Sequence, residues 1–156
     1  MSEHPITLKF VSSNRRVRED RRFVVGGGRY VADIVLEEML HVAIVPSQYP
    51  AARIVSIDTT EALKMPGVVY ALTGEELVKA VDPLMNGLDT PKVRRYPLAV
   101  GQVRYAGEWV VAVVAETRAL AEDAIEKVRV EYEPLPYVID AEDAITDASP
   151  NVHPEH

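Results

Sequence analysis

The sequence predicts one mixed α/β domain of the α+β type, a mixed sheet with short helices, on three observations. Short apolar or alternating runs take turns with capped, helix-forming runs along most of the chain. Proline and glycine fall between these runs instead of inside them. The length of 156 residues and a composition of 47% hydrophobic and 26% charged residues suit a single globular body with its own core. Three parts are expected: an extended basic arm over 1–25, the folded domain over 26–148, and a polar tail over 149–156.

The first two dozen residues carry no sustained period of 2 or 3.6, hence the arm. Gly26-Gly27-Gly28 reads as a chain reversal. It lacks both the lysine of a phosphate loop and the spacing of a dinucleotide loop, so it is not taken as a phosphate site. Leu40–Val45 is a short apolar run and Arg53–Ile57 alternates. Both are rich in β-branched residues and read as strands. Asp58-Thr59-Thr60 caps a short helical run that Pro66-Gly67 stops. Val68–Leu72 is the next strand. Thr73-Gly74-Glu75-Glu76 has the spacing of a capping box and opens a helix reaching about Ala80. Residues 82–97, with Pro83, Gly87, Pro91 and Pro97, read as a loop.

Val103-Arg104-Tyr105 and Val110–Ala115 read as strands joined at Ala106-Gly107-Glu108. The unbroken run Val110-Val111-Ala112-Val113-Val114 predicts a strand covered on both faces. Thr117 caps a helix to Lys127 whose apolar side is Leu120, Ala121, Ala124, Ile125 and Val128. Val128–Tyr132 alternates as a strand, and Asp140–Ile145 is a short capped helical turn.

Charge is uneven. The chain has 17 Lys and Arg against 24 Asp and Glu, for a net −7. Yet Lys9, Arg15, Arg16, Arg18, Arg21 and Arg22 outnumber the acids of the first 22 residues, while acids dominate from Glu116 onward. An acidic body argues against nucleic acid, which needs a basic face on the fold itself. No run is long and apolar enough to span a membrane. Residues Met1–Phe10 lack the apolar stretch of a secretory signal, and a cytoplasmic location is expected.

Reactive groups are scarce. With no cysteine there is no disulfide, thiolate nucleophile or Cys-held metal cluster. His4 and His41 stand alone, and His153-Pro154-Glu155-His156 lies at a fraying end without a rigid frame for a metal. The pairs Glu37-Glu38, Glu75-Glu76, Glu122-Asp123 and Glu142-Asp143 fall at helix starts or on exposed faces, where acids complement the macrodipole. Ser12, Ser13, Ser47, Ser56 and Ser149 lack a nucleophile-elbow context. No catalytic, cofactor-binding or metal-binding residue is assigned. The one strong cluster is Arg15-Arg16, Arg18 and Arg21-Arg22, without interleaved aromatics to stack on bases. It favours docking onto another protein.

Three segments in order resemble the a/b hammerhead domain at the start of the large, molybdopterin-binding subunit of the xanthine dehydrogenase/aldehyde oxidase family. They are Gly28–Ile34; Ala51–Thr59 running through Ala62-Leu63 and Pro66-Gly67-Val68 to Leu72-Thr73-Gly74; and Val103–Glu108 followed by Val110–Ala115 and Glu131–Pro136. Pro46-Ser47-Gln48-Tyr49 replaces the family's usual Arg-Ser-Pro-His-like run, and Trp109 stands where proline is common. The resemblance implies a non-catalytic subunit or split domain of a molybdenum hydroxylase. Such a chain would pack on and shape the subunit that binds the molybdenum cofactor. It places molybdopterin, iron–sulfur clusters and, as a further group, FAD on partner subunits and none on this chain. The expected partner surface is Arg15, Arg16, Arg18, Arg21, Arg22, Tyr30, Arg104, Tyr105, Glu108 and Trp109. The alternative is a free-standing small-ligand or regulatory module without an oxidoreductase partner.

Overall fold

The computed structural model describes residues 17–84 and 93–153. These fall into two compact units that divide between Glu38 and Met39. The first unit contains a helix, α1 (Asp20–Val24), where the sequence reading expects an extended arm. The correction has a local cause. Asp20 accepts the Val17 N–H at 3.0 Å and Glu19 pairs with Arg22 at 3.2 Å. Arg21 and Arg22 then sit in the last turn, where cations suit the helix dipole. Five residues are too few to display a 3.6 period. Gly26, at φ 75°, ends the helix. The Gly27 N–H reaches the Arg22 carbonyl at 2.8 Å and the Gly26 N–H reaches Phe23 at 3.0 Å, the paired bonds of a Schellman cap. The glycine reversal is thus a helix stop. A 3-10 turn over Val31–Asp33 follows, with the Asp33 carboxylate accepting the Tyr30 N–H at 2.9 Å.

The second unit runs in the order β1 (His41–Pro46), β2 (Ala52–Asp58), α2 (Thr60–Leu63), β3 (Val68–Thr73), α3 (Gly74–Leu77), β4 (Gln102–Val103), β5 (Trp109–Ala115), α4 (Arg118–Ile125), β6 (Arg129–Pro134) and α5 (Ala141–Ala144). This is a mixed α/β fold with short helices. In place of one mixed sheet there are two three-stranded sheets, β1-β5-β3 and β4-β2-β6, paired antiparallel throughout. The helices explain the difference. α2 carries the chain from β2 in one sheet to β3 in the other, and α4 carries it from β5 to β6. Neither helix returns the chain to its own sheet, so no parallel βαβ pair forms.

Side-chain caps fix the helix starts. The Thr73 hydroxyl accepts the Glu76 N–H at 3.4 Å and the Glu76 carboxylate accepts the Thr73 N–H at 3.1 Å, the expected capping box. Thr117 accepts the Leu120 N–H at 3.2 Å and Asp140 accepts the Glu142 N–H at 2.7 Å. The core joins Val103, Val110, Val111 and Val113 with Ala52, Ala62, Ala71, Ala99 and Ala124, so both sheets and two helices share it. Ala121 of α4 packs with Ala43 and Ala115 on one face of the first sheet. Gly74 is required by close approach: a Cβ there would lie 1.9 Å from the Ala99 carbonyl oxygen. Outside the core, Arg53 pairs with Glu133 across β2 and β6, beside the Ser56–Glu131 bond of 2.8 Å.

Candidate interaction surface

The turn between β4 and β5 is bonded both within itself and to a neighbouring loop. Tyr105-Ala106-Gly107-Glu108 closes with the Glu108 N–H on the Tyr105 carbonyl at 3.2 Å and Gly107 at φ 87°. A positive φ at the third position is the requirement of a type II turn, which glycine meets without strain. The Glu108 carboxylate turns back to accept the Arg104 N–H at 2.5 Å.

Ser47, just past the end of β1, stitches this turn to the neighbouring loop. Its N–H donates to the Glu108 carbonyl at 2.8 Å, and its carbonyl accepts the Gly107 N–H at 2.8 Å. Its hydroxyl accepts the Tyr49 N–H and donates to the Tyr49 carbonyl, each at 3.0 Å. Ser47 is 4% exposed, and the Tyr49 ring lies 5.1 Å from that of Tyr132 on β6. Burial pushes the Tyr132 phenol above its ordinary value, opposed by hydrogen bonding to Ser47 and reinforced by Tyr49. The Pro46-Ser47-Gln48-Tyr49 departure therefore builds a hydrogen-bonded clasp.

Beside the turn lies a cleft of about 480 Å³. Arg94, Arg95 and Arg104 line it together with Tyr96, Tyr105, Glu108 and His153. A smaller cavity of about 230 Å³ shares Arg104 and Val152 and is otherwise walled mainly by proline and aliphatic side chains. The cleft is a local reversal of charge. Residues 39–156 contain eighteen Asp and Glu against ten Lys and Arg, yet the described lining of the cleft has three arginines and one carboxylate. Such a lining suits planar, anionic groups of a partner, which arginine can grip through two parallel hydrogen bonds.

The sequence-selected residues divide between the two units. Arg104, Tyr105, Glu108 and Trp109 come together at the turn, with Trp109 53% exposed. Tyr30 belongs to the first unit, where its ring stacks on Phe23 at 5.8 Å and Arg22 lies 5.1 Å from the Phe23 centroid. Arg18 and Arg21 are exposed beside them in sequence. Arg15 and Arg16 lie outside the described residues. The sequence reading did not select Arg94, Arg95 and Tyr96, which it absorbed into a loop and which line the same cleft as Arg104. Their signal was present: Arg94-Arg95 is the one adjacent basic pair after Arg22. Among the described residues no three His, Asp or Glu side chains converge to hold a metal ion. None of the described helices is long and apolar enough to cross a membrane.

Comparison with known proteins gives this geometry its context. The family model for aldehyde oxidase and xanthine dehydrogenase, a/b hammerhead domain, matches residues 25–136. The chain is 43% identical over 136 residues to the 6-hydroxypseudooxynicotine dehydrogenase complex subunit gamma of Paenarthrobacter nicotinovorans, covering 83% of this chain and 17% of that one. Among solved structures, quinoline 2-oxidoreductase from Pseudomonas putida 86 superposes with a TM-score of 0.73 at 43% identity, over 82% of this chain and 17% of the other. Cu,Mo-CO dehydrogenase superposes at 0.78 with 36% identity, over 92% and 18%. The chain spans about a sixth of the length of these relatives.

Proposed function

The chain belongs to the aldehyde oxidase and xanthine dehydrogenase family, as its a/b hammerhead domain, and on that premise we propose that it is a non-catalytic portion of a molybdenum-containing hydroxylase. It packs on the polypeptide that binds the molybdenum cofactor and holds that polypeptide's shape. The observation that carries this reading is the arginine cleft beside the Tyr105–Glu108 turn, a cationic recess in an otherwise acidic unit. Arg94, Arg95 and Arg104 grip acidic groups of the partner, while Tyr105 and Trp109 offer exposed rings at the rim.

Molybdopterin, iron–sulfur clusters and FAD belong to the remainder of the enzyme. This chain has no cysteine to hold a cluster, and no convergent metal-ligand set occurs among its described residues. No step of the hydroxylation is routed through it. Its contribution is positional, and catalysis by positioning is sensitive to displacements of about 1 Å. The oxidised carbon, in an aldehyde or a heteroaromatic ring, is selected elsewhere in the enzyme.

The test is assembly of the enzyme with and without the chain, and with the charge-reversed pair Arg94→Glu and Arg95→Glu. The native chain is expected to join a hydroxylase that is inactive or unstable without it. The reversed pair should weaken that association most at low ionic strength, because screening masks the loss at high salt. A fully active enzyme that assembles without this chain would falsify the reading.

A further inference from the structure

Among the described residues, only one face of the first sheet joins the buried clusters. Registry places Val42, Val114 and Tyr70 in one row across β1, β5 and β3, and Ile44, Ala112 and Leu72 in the next row. Side chains alternate between faces along a strand, so these six share one face. The opposite face carries Ala43 and Ala115, which pack against α4 through Ala121. None of the six joins the buried clusters. Val42 is 58% exposed and Tyr70 48%, and the other four are half-buried.

An antiparallel sheet with a solvated face normally alternates apolar with polar residues. These six residues carry no polar group except the Tyr70 hydroxyl. The unbroken apolar run of β5 is the pattern of a strand buried on both sides. Two rows about 6.8 Å apart on three strands about 4.8 Å apart make a patch of about 200 Å². A stable dimer needs about 800 Å² from each copy, so a second copy of this chain would gain too little here. The patch suits a small part of a larger contact. The relatives carry more than four-fifths of their length beyond the matched region, an ample body to supply one.

We infer that the Val42–Val114–Tyr70 face is a dry docking surface for an aliphatic surface of the molybdenum-binding polypeptide, separate from the arginine cleft. The inference rests on the proposed function and adds the apolar half of the interface.

The experiment uses the chain assembled with that polypeptide and measures their association after Val42→Lys, Tyr70→Lys and, as a control on α4, Asp123→Lys. Each of the first two should weaken association about thirtyfold or more, as for buried interface anchors, and the control should leave it unchanged. Nitration of Tyr70 in the native chain, followed by mass spectrometry, should slow on assembly. This second readout is independent of how the variants fold. Unchanged association of Val42→Lys and Tyr70→Lys, with nitration of native Tyr70 unaltered by assembly, alongside weakening by Arg94→Glu/Arg95→Glu, would overturn the inference and leave the proposed function standing. Failure of the native chain to associate would overturn both. Loss of self-association alone in Val42→Lys would identify a second copy as the occupant and overturn the inference.

Discussion

Ser47 and Glu108 are joined backbone to backbone: the Ser47 N–H donates to the Glu108 carbonyl at 2.8 Å, and the adjoining Gly107 N–H returns to the Ser47 carbonyl at the same distance. The seam holds the β4–β5 turn in place independently of its side chains. The buried Ser47 hydroxyl adds two bonds to Tyr49. Ser47→Ala should lower stability by about 1–2 kcal/mol in chemical denaturation, since it strands the Tyr49 polar groups. Gln48→Ala, at an exposed neighbour, should change it by less than about 0.5 kcal/mol.

Two glycines should respond to alanine very differently. At Gly101, with φ 69° and open space around the missing Cβ, the cost is backbone strain alone, about 1 kcal/mol. At Gly74 the added carbon meets the Ala99 backbone at 1.9 Å, and the chain between α3 and β4 must move. Parallel thermal melts should show a much larger loss for Gly74→Ala. Equal losses would mean that the close approach is relieved without cost.

Thr117 is the cap of the longest helix and sits between β5 and α4, the crossover joining the sheets. Thr117→Ala should cost about 1 kcal/mol, and Thr117→Ser or Thr117→Asp should recover most of it. Denaturant midpoints at constant slope are the measurement.

Tyr132 gives the fold an alkaline limit. Its phenol is raised above the ordinary value of about 10, chiefly by burial, so the folded chain holds that proton more tightly than the unfolded chain. The associated stability is complete below about pH 10 and is lost as pH rises through the folded value. Tyr132→Phe should flatten that decline in denaturation curves measured from pH 8 to 11.

The elements of the second unit were legible because their signals are local. Alternation marked β2 and β6, the Thr73–Glu76 spacing marked α3, and the hydroxyl of Thr117 marked α4. What escaped depends on distance in sequence. Nothing in the β2–α2–β3 run says that its two strands enter different sheets, so a mixed sheet was the natural expectation. The α1 turn escaped because five residues cannot show a helical period. At the candidate surface, Arg104–Trp109 was selected through its resemblance to a family segment. Arg94 and Arg95 were missed because proline-rich surroundings read as a loop, and only the fold brings them beside Arg104.

Among the described residues, eight of the thirteen buried apolar side chains are alanines, several with no surface left to solvent. Methyl groups thus set the gap between the layers, and a gap of that width has no slack. Positions such as Ala52, Ala62, Ala121 and Ala124 should be the least permissive to enlargement in a saturation scan, since even one added methylene strains a close-packed interior. Tolerance runs opposite to side-chain size: this body's small alanines are its most fixed core residues, while bulky Tyr70, Tyr105 and Trp109 are on the outside.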